Sequence, residues 1–232
     1  MGPMPKLWKL PLVALLVYAF ASAAVQAACT DAPKAAVDWT GCEKHRLILR
    51  KAELQGARMA GADLNGTDLE QAKLVGADLS RASVDRVRLE GADLSRAKMV
   101  QLSGYRANFS KAKLVGADLT KAELARSNLA GADLSGANLG KAELQRVSLE
   151  AAVLTGANLA GADLARANLQ GAKVGGAQLG EARLFRARIE GVNLSAALGL
   201  TQAQLHSACG DQKTVLPKGL QTPRNWPCSK DD

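Results

Sequence analysis

The chain has 232 residues and a formal net charge of +8; 47% of the residues are hydrophobic, 22% are charged and only 3% are aromatic. Abundant alanine and scarce aromatic residues argue against a thick globular core, so we expect one elongated domain with a thin interior. The basic balance favours acidic partners, although net charge bears on association and not on fold.

Residues 1–27 have the layout of a secretory signal peptide. Lys6 and Lys9 precede an apolar run over residues 10–24, and small residues follow, with cleavage expected near Ala27. Cleavage there would lower the formal charge from +8 to +6, because both lysines leave with the peptide. We therefore expect a periplasmic or secreted protein.

Two other interpretations of this segment stay open. The apolar run is long enough for an uncleaved anchor, which would be the only link of this chain to a membrane. Lipoprotein processing at Cys29 is disfavoured by Gln26, a poor residue three places before such a cysteine. The alanine-rich end of the segment favours cleavage.

Residues 28–46 are predicted to form an N-terminal cap over the repeats that follow. An exposed terminal coil presents apolar side chains and unpaired backbone groups, which invites edge-to-edge association. Trp39 is the largest side chain available to cover it. We therefore predict a capping role for Trp39 in preference to stacking on a ligand.

A five-residue rhythm occupies residues 47–196. A large apolar residue stands at positions ending in 4 or 9, as at Leu134, Leu139 and Leu144, and alanine usually stands two places earlier. Five residues turn an α-helix by roughly 140°, so the leucines would not form a stripe. In a straight strand they would alternate faces, because the side-chain period is two. The chain must instead run extended and bend once per repeat.

A chain that bends the same way every five residues winds into a coil, and the backbone groups of successive coils can pair at about 4.8 Å. The small and large apolar positions then point inward, and Asp, Asn, Lys, Arg, Ser and Gly stand outside. Residues 100–105 depart from the pattern, with Leu102 at the small position and Gly104 at the large one. We expect a local bulge or swapped packing there.

The repeats, such as ADL at 92–94 and ANL at 137–139, resemble the pentapeptide repeat family. The resemblance implies an all-β fold, a right-handed quadrilateral β-helix with four repeats per coil. About thirty repeats would make a rod of roughly 35 Å. The C-terminal tail resembles those of secreted bacterial members.

One outward pattern distinguishes the sides of such a coil. Arginine recurs every twenty residues at one corner, which supports four repeats per coil independently of the resemblance. This arginine ladder consists of Arg86, Arg106, Arg126, Arg146, Arg166 and Arg186. A second corner, the glycine corner, carries Gly56, Gly76, Gly116, Gly136, Gly156 and Gly176.

Two interpretations of the arginine ladder stay open. The simpler one is local neutralisation in surface ion pairs, which contribute little. The carboxylates available for it stand three residues before Arg126, Arg146 and Arg166; they are Glu123, Glu143 and Asp163. The sharper one is an anion-binding track, because arginine suits carboxylate, sulfate and phosphate groups.

Residues 197–232 are predicted to form a short capping helix and an irregular tail. Thr201 opens a capping box, Leu205 supplies an apolar side, and Gly210 is a suitable stop. The tail contains three prolines and is expected to pack through Trp226.

Four cysteines flank the repeats, Cys29 and Cys42 before them and Cys209 and Cys228 after them. In an exported chain an even count predicts disulfides, and three connectivities are open. We favour Cys29–Cys42 and Cys209–Cys228, because the rod separates the two pairs, and each bridge would contribute about 3 kcal/mol. C-x-x-H and H-x-x-C spacings also fit metal ligands, but a shared four-ligand site would have to span the rod.

Catalysis requires groups gathered in a concave, partly dry site, whereas a regular rod turns its polar residues outward. We therefore predict no catalytic residues, no metal and no cofactor. The favoured function is a non-enzymatic exported scaffold or protein-interaction rod of the bacterial cell envelope. The alternative is a polyanion-binding module that uses the arginine ladder to hold an anionic glycan or lipopolysaccharide.

The expected partner is a protein or an anionic envelope polymer and not nucleic acid, and pairing of two copies as a homodimer stays open. A remote alternative follows from the resemblance, since some pentapeptide repeat proteins imitate DNA and bind topoisomerase in the cytoplasm. That role calls for a negative rod inside the cell, whereas this chain is basic and begins with an export signal.

Overall fold

The computed structural model describes residues 29–228, so the predicted signal peptide over 1–27 lies outside the described residues. On one side of the molecule, parallel bridges advance in steps of twenty residues from Asp38 to Leu198. Each bridge is a single residue wide, and four of them occur in every twenty residues through most of the chain. The chain therefore makes four turns per coil.

The coils are joined by a repeated pair of backbone hydrogen bonds. The Leu54 N–H donates to the Lys73 carbonyl at 2.8 Å, and the Lys73 N–H donates back to the Ala52 carbonyl at 2.9 Å. Nine bridged residues stand along the longest side, which at about 4.8 Å per coil gives a rod of about 40 Å. Among the described residues, no helix has the length and apolar character needed to cross a membrane.

The interior is a column of leucine and alanine. Leu134, Leu139 and Leu144 have no exposed surface, and Ala132 and Ala137 are equally buried beside them. Burying one leucine side chain contributes roughly 1.5–3 kcal/mol, so the column stabilises the coil along its whole length.

Each turn between two sides is closed by a short backbone bond. The Ala57 N–H donates to the Leu54 carbonyl at 3.1 Å, and Gly56 between them has a φ of 64°. Other corners hold a residue with a side chain in the same left-handed conformation, for example Arg86 with a φ of 53°. That conformation costs a residue with a Cβ roughly 1–2 kcal/mol, so glycine is the least strained residue at every corner.

Aspartate and asparagine at the middle of a side also shape the turns. The Asp63 carboxylate accepts the Asn65 N–H at 2.9 Å, and the Asp133 carboxylate accepts the Ser135 N–H at 3.0 Å. A short side-chain acceptor can satisfy the backbone two residues on, which explains why Asp and Asn favour this position. The sequence pattern alone indicated only a solvated face here.

The stretch 100–105 stays in register, so the bulge anticipated as one of two outcomes is absent and the swapped packing is found. Ser103 forms both of its expected bridges, and Leu102 fills the small inward position with 1% exposure. At Gly104 a Cβ would come within 2.7 Å of the Leu124 Cδ2 atom. Side chains from the adjacent coils therefore occupy the space that a leucine takes in other repeats.

The coil begins earlier than the predicted boundary at residue 47. Asp38 already bridges the next coil, and Trp39 and Cys42 occupy inward positions with at most 2% exposure. Trp39 is therefore part of the first coil, and its indole N–H donates to the Asp31 carbonyl at 3.1 Å. The rhythm was hidden because tryptophan and cysteine replace the usual leucine and alanine.

The coil also ends later than the predicted boundary at residue 196. After Leu198, helix α1 (Gln202–Ser207) takes the place of one side. The chain then returns to the coil at Cys209 and Val215, which form bridges to Arg188 and Asn193 in the preceding coil. The insertion breaks the five-residue spacing without ending the stack.

Helix α1 closes the C-terminal end of the column. The Thr201 hydroxyl accepts the Gln204 N–H at 3.3 Å, and the Gln204 side chain accepts the Thr201 N–H at 2.8 Å. Leu205, within this helix, is fully buried. The helix ends before Gly210, whose absent side chain instead makes room for the ring of Trp226.

Disulfides fasten both ends of the rod. Cys29 is bonded to Cys42 and Cys209 to Cys228, which is the connectivity that the sequence favours. At the N-terminal end, the Lys44 ammonium donates to the Cys29 carbonyl at 2.5 Å.

Two arginines hold Asp68 between them near the N-terminal end. The Arg50 Nε atom lies 2.6 Å from the Asp68 carboxylate and the Arg88 Nη1 atom 3.3 Å, while Glu70 pairs with both arginines. Burial opposes ionisation of Asp68, but the hydrogen bonds from Arg50 and from the Glu70 N–H, together with the two positive charges, outweigh it. The pKa of Asp68 is therefore lowered from its ordinary value.

The left-handed corners give a clean stability prediction. Gly136 has a φ of 63° and a Cβ there would meet no atom within 4 Å, so Gly136→Ala should lower the unfolding free energy by about 1 kcal/mol through the backbone alone. Gly175 is equally open but does not have a left-handed φ. Gly175→Ala should therefore leave stability unchanged or raise it by a few tenths of a kcal/mol. Denaturant unfolding of both variants measures the difference, and equal effects would contradict the backbone argument.

A second prediction concerns acid. Because the folded pKa of Asp68 lies below the unfolded value of about 3.9, its contribution is complete above that value and is lost as the pH falls through the folded pKa. Asp68→Asn should lower the unfolding free energy by about 1–2 kcal/mol at pH 7 and have little effect near pH 2. Thermal unfolding at both pH values tests this.

The matched control is Asp93→Asn. Asp93 accepts the Ser95 N–H at 3.1 Å, a bond that an asparagine preserves, and it forms no ion pair with any residue between 29 and 228. Its replacement should change little at either pH. A loss for Asp68→Asn that is the same at both pH values would show that charge is not the cause.

Candidate functional site

The described chain does not gather catalytic groups. All four cysteines are in disulfides, and no group of three or more His, Cys, Asp or Glu side chains within residues 29–228 could hold a metal ion. His45 lies 3.6 Å from the Asp63 carboxylate on the outer surface. His206 lines an open groove with Gln202 and Arg224. No cysteine between residues 29 and 228 is therefore free to act as a nucleophile beside either histidine.

The arginine ladder occupies one corner of six successive coils. Every member has a left-handed φ, between 53° at Arg86 and 60° at Arg126. The backbone N–H of each arginine donates to the next coil, for example from Arg126 to the Gln145 carbonyl at 2.9 Å. The ladder positions are therefore in register along the rod at about 4.8 Å.

The three ion pairs expected to neutralise Arg126, Arg146 and Arg166 do not form. In the described part of the chain, Glu123 and Glu143 form no ion pair with Arg126 or Arg146. Asp163 instead lies 2.9 Å from the Arg183 guanidinium.

The hydrogen bonds of Asp163 explain why it does not reach the ladder. Its Oδ1 atom accepts the Ala165 N–H at 3.0 Å, and its Oδ2 atom accepts a bond from the Gln145 amide at 3.0 Å. The carboxylate is thus held against its own turn and its own side of the coil.

Five ladder arginines have no carboxylate within 4 Å anywhere in residues 29–228: Arg86, Arg106, Arg126, Arg146 and Arg166. All five are exposed. Arginines on the flat sides of the same rod behave differently, since Arg58 pairs with Asp38 at 3.0 Å and Arg88 with Asp68 at 3.3 Å. Arg81 and Arg96, at two other corners, also have no carboxylate within 4 Å among residues 29–228. The unpaired state is therefore a property of the corner positions, and the ladder is distinguished by repeating it in successive coils.

Aromatic side chains accompany the ladder near each end. The Arg106 guanidinium lies 5.1 Å from the centre of the Tyr105 ring, and the Arg186 guanidinium lies 5.6 Å from that of Phe185. Tyr105 is 37% exposed and Phe185 50% exposed. Each of these aromatic residues directly precedes a ladder arginine in the sequence. This adjacency is the signal from which their place beside the ladder could have been predicted.

An uncharged strip lies next to the ladder on one flank. This amide face stands two residues after the arginines and consists of Asn108, Asn128, Ser148 and Asn168. The Asn128 amide donates to the Asn108 side chain at 3.3 Å, and the Asn168 side-chain oxygen accepts the Gln170 N–H at 3.1 Å. The other flank carries the acidic side chains Glu123, Glu143 and Asp163. The corner therefore separates an acidic side from a neutral, hydrogen-bonding one.

Sequence comparison places the repeats in a known family. The family described as pentapeptide repeats matches in eight copies, over residues 62–101, 105–140, 132–171, 142–179 and 162–198. Together these matches span more than half of the chain. No curated protein matches it.

Three solved structures are among those similar to the chain. QnrB1, described as a plasmid-mediated fluoroquinolone resistance protein, has 17% identity over 76% of this chain and 88% of its own, with a TM-score of 0.54. HetL from the cyanobacterium Nostoc sp. strain PCC 7120 has 27% identity over 77% and 97%, with a TM-score of 0.34. A thylakoid-lumen protein of Arabidopsis thaliana has 27% identity over 53% and 68%, with a TM-score of 0.23.

The likeness to QnrB1 supports a shared fold and nothing about activity, since the identity is low. The family match, the five-residue rhythm and the coil of four turns agree with one another. This chain belongs to the pentapeptide repeat family.

Proposed function

We propose that this protein is a non-enzymatic, exported rod that acts by binding a partner through its outer surface. Pentapeptide repeat proteins are generally non-enzymatic interaction scaffolds. The observation that carries the proposal is the row of five exposed arginines from Arg86 to Arg166, which have no carboxylate within 4 Å among residues 29–228. In the same described part of the chain, no group of acidic and histidine side chains could hold a metal ion. A row of cations on an outer corner can recognise an anionic ligand, whereas catalysis calls for groups gathered in a concave site.

The rod is assigned the right-handed quadrilateral β-helix of its family. The coil of four turns agrees with this architecture, and the short sides explain why the bridges are isolated and do not form long strands. The capping helix α1 and the disulfides limit fraying at the ends, where an open coil would otherwise expose unpaired backbone groups.

Export is supported by two independent features. Disulfides persist in oxidising compartments, and the chain has one at each end of the rod. The segment 1–27 has the charged, apolar and small-residue regions of a signal peptide, with cleavage expected near Ala27. The proposed location is the periplasm or the exterior of a bacterial cell.

A DNA-mimicking role in the cytoplasm has no support in the charges of this chain. Imitation of DNA needs a negative surface, whereas the protein has a formal charge of +8 before processing and its most regular charged feature is a row of arginines. The resistance role named for QnrB1 is therefore not proposed for this chain.

The export prediction can be tested with a reporter. Residues 1–40 fused to alkaline phosphatase, which is active only where disulfides form, should give enzyme activity in intact bacteria because the segment directs translocation. The same fusion with Leu15→Arg and Leu16→Arg, which interrupts the apolar run, is the matched control and should lose the activity. An inactive fusion that accumulates in the cytoplasm would overturn the export proposal.

A further inference from the structure

We propose that the arginine ladder and the amide face together form a binding track for a linear acidic polysaccharide that lies along the rod axis. The inference rests on the proposed export, because such polymers are found outside the cytoplasm. It assigns a chemical class of partner to the outer surface through which the rod is proposed to bind.

The first step is that stability does not account for the arginines. Each ladder member has a left-handed φ, where a Cβ is unfavourable and glycine is not. The glycine corner lies on the opposite side of the coil. Its turns have the same left-handed backbone conformation, but they are closed by glycines such as Gly116, Gly136 and Gly156. Arg126 and Arg146 bury no side chain in the column and join no ion pair between residues 29 and 228. The side chains are therefore present despite a backbone cost that the fold does not require.

The second step is the regular spacing of charge. From Arg86 to Arg166, five guanidinium groups follow one line over about 19 Å. Neighbouring cations at this separation repel one another until an anion lies between or along them. A polymer with about one acid group per sugar matches such a row better than double-stranded DNA, which carries one charge per about 1.7 Å.

The third step is the chemistry beside the ladder. Asn128 and its neighbours on the amide face offer donors and acceptors for sugar hydroxyl groups. Tyr105 is 37% exposed in the turn just before Arg106, and its ring suits the apolar face of a sugar ring that crosses the corner, because an aromatic ring packs well where one side is apolar and the edge is wet. Glu123 and Glu143 on the opposite flank repel a polyanion and direct it toward the amides.

The test compares two triple variants of the protein, each produced with residues 1–232 encoded and purified from its host. The ladder variant is Arg106→Gly, Arg126→Gly and Arg146→Gly. The control variant is Arg81→Gly, Lys121→Gly and Lys141→Gly at the preceding corner, where the residues have the same left-handed φ of 57°. Both remove three positive charges and relieve the same backbone strain. They differ in the position of the charge and in the two lysines of the control set.

The probe is a length series of oligogalacturonides, linear sugars with one carboxylate per unit, titrated by calorimetry at low salt. Affinity should rise with length until the sugar spans about 19 Å. The ladder variant should bind about tenfold to a hundredfold more weakly, and the control variant less than about threefold. Added salt should weaken the wild type more steeply than the ladder variant.

Thermal unfolding separates recognition from folding. The ladder variant should be as stable as the wild type or more stable, because glycine fits the corner. A marked fall in its melting temperature would show a structural role and overturn the proposal. A second variant with glutamine at the same three positions keeps a polar side chain without the charge and should lose binding equally.

The remaining outcomes decide against the track or against the export on which it rests. Equal losses in the two triple variants would mean that net charge alone attracts the sugar. Tighter binding of polyglutamate or of single-stranded DNA than of an equally long oligogalacturonide would assign the ladder to a different class of partner. If no oligogalacturonide binds but the export reporter is active, only the polysaccharide proposal is overturned. If the sugar binds specifically but the reporter stays in the cytoplasm, only the export proposal is overturned.

Discussion

The rod depends on a left-handed residue at every corner. Only one residue on each side bridges to the next coil, so the chain must turn again within five residues, and the turn closes through bonds such as that from Ala57 to Leu54. This turn sends the leucine and alanine side chains into the column and leaves the corner side chain in solvent. Core packing and surface chemistry are consequently carried by different residues, and either can change without disturbing the other.

That separation explains which parts of the fold could be predicted from sequence. The spacing of Leu134, Leu139 and Leu144 is enough to exclude a helix and a straight strand, and the twenty-residue return of arginine indicates four turns per coil. The ends could not be found in this way. Trp39 and Cys42 fill inward positions with unfamiliar residues, and α1 is inserted between Leu198 and Cys209, so the rhythm is hidden at both ends although the stacking continues.

The site was predicted less completely, for a similar reason. The arginine ladder is visible in one dimension, but the pairing of Asp163 with Arg183 is not, because it joins residues on successive coils. Sequence proximity suggested Arg166 as the partner. The carboxylate is instead held by the Ala165 N–H of its own turn, which leaves the corner beyond its reach. Side chains on a flat side thus pair along the rod, whereas corner side chains project away from them.

The residue types at the corners are therefore better evidence of a binding role than those on the flat sides, where a structural role can explain the side chain. Arg58 contributes an ion pair with Asp38, so its presence has a structural explanation. Arg126 has no such explanation in the described chain, and it adds both a left-handed backbone cost and repulsion from the arginines one coil away, just under about 1 kcal/mol per neighbouring pair in water before screening. Five corners in succession, from Arg86 to Arg166, share this arrangement, while the glycine corner shows that the fold can close without it. An anion that lies along the row removes the repulsion and uses every guanidinium at once, which makes an extended ligand the simplest physical reason for the ladder.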